Sequence, residues 1–380
     1  MSRHTQLGGL GVAGALAVTC WFLRSSPAAL AVVLGAAAFV ALLGLALLCR
    51  RRQVAVPALM LVWWLGVESF AAPHWVMQLG LVEYFFIQDV DHWPEGAGPS
   101  WNRHFLRGAE EPEEYTEDSF NTLFLGDSFT YGMKVKAGEA FPAVVGRRLA
   151  RQFPEADIKV ANFGWTSSSP LLSHRRLVEI GDDYAPDLIV LCLDMTDPAD
   201  DIRYENMLAK RGIYRLYEWL PLTIRLAASV APGAYGRLVA WSVGAPVGRF
   251  FFTEAPLDDT RAHLEPITEN IGRIAEWAAA RDARFLLAVL PRSFQHSERE
   301  CPDNWEADEY ETLGQYSLEI FRYFDELQGS VDYPIFSLLP TFEKTEEFPL
   351  CFDDDPHWTP LGHRVAATAL VKVLAPLGPQ

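Results

Sequence analysis

The sequence predicts an α/β domain, a parallel sheet covered by helices on both faces, preceded by N-terminal transmembrane helices. Three observations carry this reading. From residue 121 onward, short apolar runs fit for strands alternate with amphipathic segments fit for helices, and that alternation builds parallel sheets with helical crossovers. Two of the runs, 188–193 and 285–290, are apolar at every position, as strands buried on both faces are. The first 72 residues, finally, are dominated by three long apolar segments.

Those segments are residues 7–23, 27–49 and 54–72, the last interrupted only by Glu68. A bilayer core needs about 20 apolar residues per helix, so the second segment is a span, and the first and third are read as spans beside it. Residues 7–23 are not read as a cleaved leader, because Arg24-Ser25-Ser26 joins them to the next span without a cleavage site. Arg50-Arg51-Arg52 lie between the second and third segments and should stay cytoplasmic. The N-terminus, with Arg3, is then also inside, and everything after residue 72 lies outside the cytoplasm. The expectation is a multi-pass protein of the cell inner (cytoplasmic) membrane with an extracytoplasmic domain.

The chain has 32 Lys and Arg against 49 Asp and Glu, a net charge of −17. Five Arg and one Glu fall in residues 1–72, so the remainder carries 27 basic against 48 acidic residues, a net of about −21. So acidic a domain is a poor partner for nucleic acid or anionic lipid. No nucleic-acid partner is expected.

The elements follow in order. Residues 73–118 read as a connector rich in Trp, Pro and acidic residues, and 119–380 as the α/β domain. Residues 122–125 are a strand, and 140–153 a helix with Val144, Val145, Leu149 and Phe153 on one face. Residues 158–162 are the second strand, 170–184 a helix and 188–193 the third strand. About 197–259 form a cap insertion holding Tyr204, Tyr214, Tyr217, Trp219, Tyr235, Trp241 and Phe250-Phe251-Phe252 among scattered Arg. These aromatics suit either a small core of the cap's own or a surface for sugar rings, and residues 220–252 are apolar enough for membrane contact. Residues 260–281 return as a helix and 285–290 as a strand. A long helix over 307–327, a strand at 335–338 and a closing helix over 360–374 complete the pattern. The acidic run Asp194, Asp197, Asp200 and Asp201 reads as a solvated loop.

The chemistry is carried by two short stretches. Thr122-Leu123-Phe124-Leu125-Gly126-Asp127-Ser128 is a buried strand running into a Gly-Asp-Ser turn, and Asp354-Asp355-Pro356-His357 precedes the last helix. A serine is a weak nucleophile until a base takes its proton, and a carboxylate fixes the tautomer of a histidine base. Ser128, the aspartates just before His357, and His357 itself supply all three groups. Asp127 braces the turn, and His363 packs or caps within the final helix. His263, His296, His357 and His363 lack metal-ligand spacing, and no glycine-rich phosphate loop occurs. No metal and no cofactor are expected.

With these motifs the sequence resembles the SGNH (GDSL-type) hydrolases over roughly residues 122–377, in a membrane-anchored bacterial-envelope form. The resemblance implies a flavodoxin-like three-layer α/β/α fold with Ser128 as nucleophile, His357 as general base and Asp354, by the family spacing, as its orienter. It also implies an oxyanion site made by the backbone N–H groups of Ser128 and of Gly164, in Asn162-Phe163-Gly164. Where the family carries an Asn donor, Thr196 stands in Asp194-Met195-Thr196-Asp197, and its hydroxyl offers one hydrogen bond. The implied reaction is acyl transfer through a seryl ester, with O-acetyl groups of cell-envelope or exported polysaccharide as the expected substrate. The expected partners are an acylated glycan or another ester, the membrane, and a membrane protein if the acceptor is a sugar hydroxyl. Three readings stay open: esterase, O-acetyltransferase, and a non-catalytic glycan-binding protein.

Of five cysteines, Cys20 and Cys49 lie in spans and Cys192 in a strand, while Cys301 and Cys351 fall in loops of the outer domain. In an oxidising compartment that last pair is either a bridge or two free thiols.

Overall fold

The computed structural model describes residues 101–209 and 247–379, with positions 56, 57, 60, 61, 63 and 64. The first two predicted spans, and the cap residues 210–246, lie outside the described residues. Six positions of the third span are described, and all six are helical. Among the described residues no helix is long and apolar enough to cross a membrane. The architecture below is that of one compact unit, Val90–Lys210 with Val243–Gln380.

Five parallel strands form its sheet: β1 Ser119–Gly126, β2 Asp157–Asn162, β3 Leu188–Leu193, β4 Arg284–Val289 and β5 Ile335–Ser337. Their order is β2-β1-β3-β4-β5, with Thr122 opposite both Val160 and Leu188. The chain leaves β1 toward one edge to make β2, then crosses back to make β3 on the other side. The crevice beyond the C-terminal ends of β1 and β3 is therefore a topological switch point, where such sheets bind ligands.

Among the described residues eight helices surround the sheet: α1 Ser128–Tyr131, α2 Phe141–Gln152, α3 Pro170–Ile180, α4 Asp197–Ala209, α5 Leu257–Ala279, α6 Glu319–Leu327, α7 Leu339–Lys344 and α8 Pro360–Leu374. Alternate strand side chains point to opposite faces, which gives two cores. Leu123, Leu125, Ile189, Leu191 and Leu287 meet Leu264, Ile267, Ile271 and Ile274 of α5 on one face. Phe124, Val190, Cys192, Leu286 and Ala288 meet Phe141, Val145 and Leu149 of α2 and Ala366, Leu370 and Leu374 of α8 on the other. This is the three-layer α/β/α arrangement expected.

Three local features depart from the expectations. The helix expected over 307–327 is a 3₁₀ turn at Ala307–Glu309 and then α6 alone. Leu313 sits at φ +50°, and its N–H donates to the Phe294 carbonyl at 2.8 Å, a tertiary bond that a continuous helix would forbid. The acidic run is buried rather than solvated: Asp194, Asp197, Asp200 and Asp201 all lie inside. Phe250, Phe251 and Phe252 join the core of the main sheet rather than a separate one. The connector, where described, is packed down: Leu106 and Tyr115 are buried, and Asn102 donates to the Tyr184 hydroxyl at 2.8 Å.

A short antiparallel hairpin precedes α8, with β6 Cys351–Phe352 paired to β7 Asp355–Trp358. The Thr359 hydroxyl caps α8 by accepting from the Gly362 N–H, and Pro360 opens its first turn.

Candidate active site

The nucleophile turn is built by three local devices. Gly126 has φ +149°, and a Cβ there would lie 2.3 Å from Thr130 Oγ1 and 2.6 Å from the Cys192 carbonyl. Only glycine lets β1 end this close to β3. Asp127 caps α1, its carboxylate accepting the Phe129 N–H at 2.9 Å. The far end of this four-residue helix is held from the connector, where Arg107 donates to the carbonyls of Gly132 at 2.8 Å and Tyr131 at 3.2 Å. A cation at helix-terminal carbonyls is favourable in both hydrogen bonding and dipole. Ser128 thus stands at the first helical position, just beyond the carboxyl end of β1.

β7 brings the base. His357 Nε2 lies 2.7 Å from Ser128 Oγ, and His357 Nδ1 donates to Asp355 Oδ1 at 2.5 Å. The His357 backbone N–H donates to the same oxygen at 2.9 Å. With Nδ1–H given to the carboxylate, Nε2 is the acceptor, and the Ser128 hydroxyl donates to it. Burial raises the Asp355 carboxyl, but the two hydrogen bonds from His357 and the nearby Lys134 outweigh it and hold Asp355 well below the usual carboxylate range.

Asp354, expected as orienter, is not at the histidine. Its side chain is 86% exposed and pairs with Lys134 at 3.2 Å. The reason is the strand. On β7, residues two apart share a face, so Asp355 and His357 point together, whereas Asp354 lies in the turn before the strand.

The expected oxyanion donors are differently placed. As the first helical residue, Ser128 has an N–H with no intrahelical partner. Gly164 lies against α1 so closely that a Cβ would sit 2.4 Å from the Tyr131 nitrogen, yet its N–H donates to Asn162 Oδ1 at 2.9 Å. Asn162 in turn donates to the Thr130 carbonyl at 2.9 Å, tying β2 to α1. The Thr196 hydroxyl donates to Asp194 Oδ2 at 2.7 Å. An oxyanion role for Gly164 or Thr196 would draw on hydrogens that Asn162 and Asp194 hold here.

Behind the serine lies a buried polar network that sequence reasoning missed. Asp127, Asp194 and Asp197 have carboxylate oxygens within 4.8 Å of one another, the one grouping among the described residues that could hold a cation. Arg292 already brings positive charge there, donating to Asp194 through Nε at 2.8 Å and Nη2 at 2.7 Å and to Glu306 through Nη1. Burial raises the Asp194 carboxyl, but the charge and hydrogen bonds of Arg292 override this and hold it low. Burial and then neighbouring carboxylates push Asp127 and Asp197 well up. Removing one partner from such a buried pair costs about 3–5 kcal/mol, because it strands the other charge. Arg292 also lies over the Phe129 ring at 4.8 Å, and Phe129 packs on His357 with ring centroids 5.0 Å apart.

His363 is a packing residue. It is 1% exposed, accepts the Phe141 N–H at 3.2 Å, and burial pushes its pKa down to about 3.

The profile of the GDSL-like Lipase/Acylhydrolase family matches residues 124–365, from β1 into α8. The chain belongs to this family. It is an enzyme of ester chemistry, an SGNH-type ester hydrolase or acyltransferase of the serine-nucleophile kind. Among solved structures, the GDSL domain is similar to TesA at 15% identity, over 68% of this chain and 99% of that one, with a TM-score of 0.39. It is similar to a lipolytic protein of the G-D-S-L family from Desulfitobacterium hafniense at 13% identity, over 67% and 100%, with a TM-score of 0.37. It is also similar to a mutant of Axe2, an acetyl-xylooligosaccharide esterase from Geobacillus stearothermophilus, at 14% identity, over 70% and 97%, with a TM-score of 0.39. No curated protein matches the sequence.

Proposed function

We propose that this GDSL enzyme is a membrane-anchored, extracytoplasmic serine esterase that removes O-acetyl groups from cell-envelope or exported polysaccharide, using Ser128, His357 and Asp355. The observation that carries the catalytic part is the continuous chain Ser128 Oγ to His357 Nε2 at 2.7 Å and His357 Nδ1 to Asp355 Oδ1 at 2.5 Å.

In the first step Ser128 Oγ attacks the ester carbonyl as its proton passes to His357 Nε2. Asp355 stabilises the imidazolium so formed, and the Ser128 N–H faces the developing oxyanion. His357 then returns the proton to the departing sugar oxygen, leaving an acetyl-serine. Water, deprotonated by His357, attacks that ester, and acetate leaves as the proton returns to Ser128.

The anchor rests on the apolar segments 7–23, 27–49 and 54–72. It draws support from Met60, Leu61 and Trp63, large apolar residues that are exposed on a helical stretch. The glycan reading rests on the resemblance to membrane-tethered relatives and on charge. A domain of net charge about −21 repels polyanions, which favours an uncharged acetylated sugar.

The test is hydrolysis of p-nitrophenyl acetate by the full chain and by Ser128→Ala. Turnover in the wild type should fall by about 10⁴-fold or more in the variant. Equal turnover in both would remove Ser128 as nucleophile. No turnover in either, even with an acetylated sugar oligomer, would favour the glycan-binding reading.

A further inference from the structure

We propose that Cys301 and Cys351 are an oxidation site, closing to a disulfide that pins the hairpin carrying Asp355 and His357. The proposal needs an oxidant, and it rests on the extracytoplasmic placement above only for where that oxidant is met.

The two cysteines are 50 positions apart in sequence and adjacent in the fold. Both are free thiols in this structure, the Cys301 thiol donating to Ser293 Oγ at 3.1 Å, and each cysteine is the largest influence on the other, lowering Cys301 and raising Cys351. Both belong to one apolar cluster and are 4% and 1% exposed. The neighbouring residue already clamps the same place. The Glu300 carboxylate accepts the Leu350 N–H at 2.9 Å and the Cys351 N–H at 3.0 Å. Cys301 itself sits at φ +36°, a backbone region that a non-glycine residue holds only when its surroundings demand it. Cys351 is the β6 residue opposite Trp358, next in sequence to His357. A covalent bond here would fix the strand pair that presents the base and its carboxylate to Ser128.

The chemistry is ordinary thiol–disulfide exchange. The Cys301 thiolate attacks a small-molecule or protein disulfide, forming a mixed disulfide and expelling one thiolate. The Cys351 thiolate displaces the second. The two cysteines lose two protons and two electrons, and the oxidant leaves as two thiols. Because both sulfurs are buried, exchange occurs during folding or when the hairpin opens locally.

The experiment uses the full-length chain, reduced and then equilibrated with excess oxidised glutathione, denatured in an alkylating reagent, digested and mapped by mass. The expected result is one joined pair of peptides containing Cys301 and Cys351, lighter by two hydrogens than the separate thiols. Reduction should also lower the melting temperature by several degrees in the wild type and leave Cys301→Ser unchanged. Recovery of both cysteines as alkylated thiols would overturn the proposal, and the peptide map decides even if Cys301→Ser does not fold. A bridge that forms with glutathione but is absent from chain isolated without reductant would uphold the pair and count against the extracytoplasmic placement.

Discussion

Asp354 and Asp355 are adjacent, chemically identical and oppositely placed. Asp355 accepts from His357 at 2.5 Å, while Asp354 reaches into solvent toward Lys134, an exposed pair of the kind worth at most about 1 kcal/mol. An amide at position 355 would offer a donor where Nδ1–H needs an acceptor, and the imidazole would turn or change tautomer. Asp355→Asn should therefore lower kcat toward p-nitrophenyl acetate by about 10⁴-fold, the scale of the equivalent change in a serine protease. Asp354→Asn should stay within about twofold, as expected of an exposed pair. The reverse ranking would return the orienter role to Asp354. The same reasoning separates Thr196 from the oxyanion. Its hydroxyl hydrogen is given to Asp194, a residue whose own place is set by Arg292.

The nucleophile turn and α4 show how short elements are made rigid here. α1 is only four residues long, far too short to persist alone, and it holds because Asp127, Asn162 and Arg107 bind it from its own N-cap, from β2 and from the connector. α4 is locked by Asp201, whose carboxyl accepts the Leu171 N–H of α3 at 2.9 Å and Asn270 Nδ2 of α5 at 2.8 Å. Burial pushes Asp201 up to about 7, although its hydrogen bonds pull the other way. An unfolded Asp titrates near 3.9, so between about pH 4 and pH 7 the folded state holds a proton that the unfolded state has lost. Stability from this group is full below that window and declines as pH rises through it, by up to about 1.4 kcal/mol per pH unit. Asp127 and Asp197 are shifted in the same direction. Buried His363 and His296, pushed down by burial, change stability in the opposite direction over this range, so the contribution of Asp201 is read by difference: from pH 5.5 to pH 7.5 the urea midpoint of the wild type should lose ground relative to that of Asp201→Asn. A wild-type midpoint that keeps pace with Asp201→Asn over this range would contradict the assignment of a proton to Asp201.

For the molecule as a whole, the sheet order places Ser128 at the switch point between β1 and β3, and the hairpin ahead of α8 brings His357 to it from the C-terminal end of the chain. The proposed anchor adds a testable geometry. Protease added to intact cells stripped of outer layers should digest the α/β unit, and inverted membrane vesicles should protect it. Protection in the first preparation and digestion in the second would place the site in the cytoplasm.

The sheet was legible because its signal is local. Residues 188–193 and the closing helix 360–374 agree with β3 and α8, since an apolar run and a capped amphipathic helix are stated by neighbouring residues. Ser128 and His357 were legible for a related reason, a reactive residue type set in a turn after a buried strand or ahead of a capped helix. Asp355 was not, because three consecutive aspartates look alike in sequence, and only the fold puts Asp353 and Asp354 in the hairpin turn and Asp355 on β7. The burial of Asp194, Asp197 and Asp201 was hidden too. Their partners Arg292 and Asn270 lie 98 and 69 positions away from Asp194 and Asp201, and a sequence that reads as a solvated acidic loop becomes an interior network only when the fold supplies those partners. By itself, then, the sequence determined the five strands of the parallel sheet, most of the helices, and the serine and histidine that the fold brings together. Only the tertiary structure decided which carboxylate serves the base and which polar groups share a buried site, because those depend on side-chain direction and on contacts between distant segments.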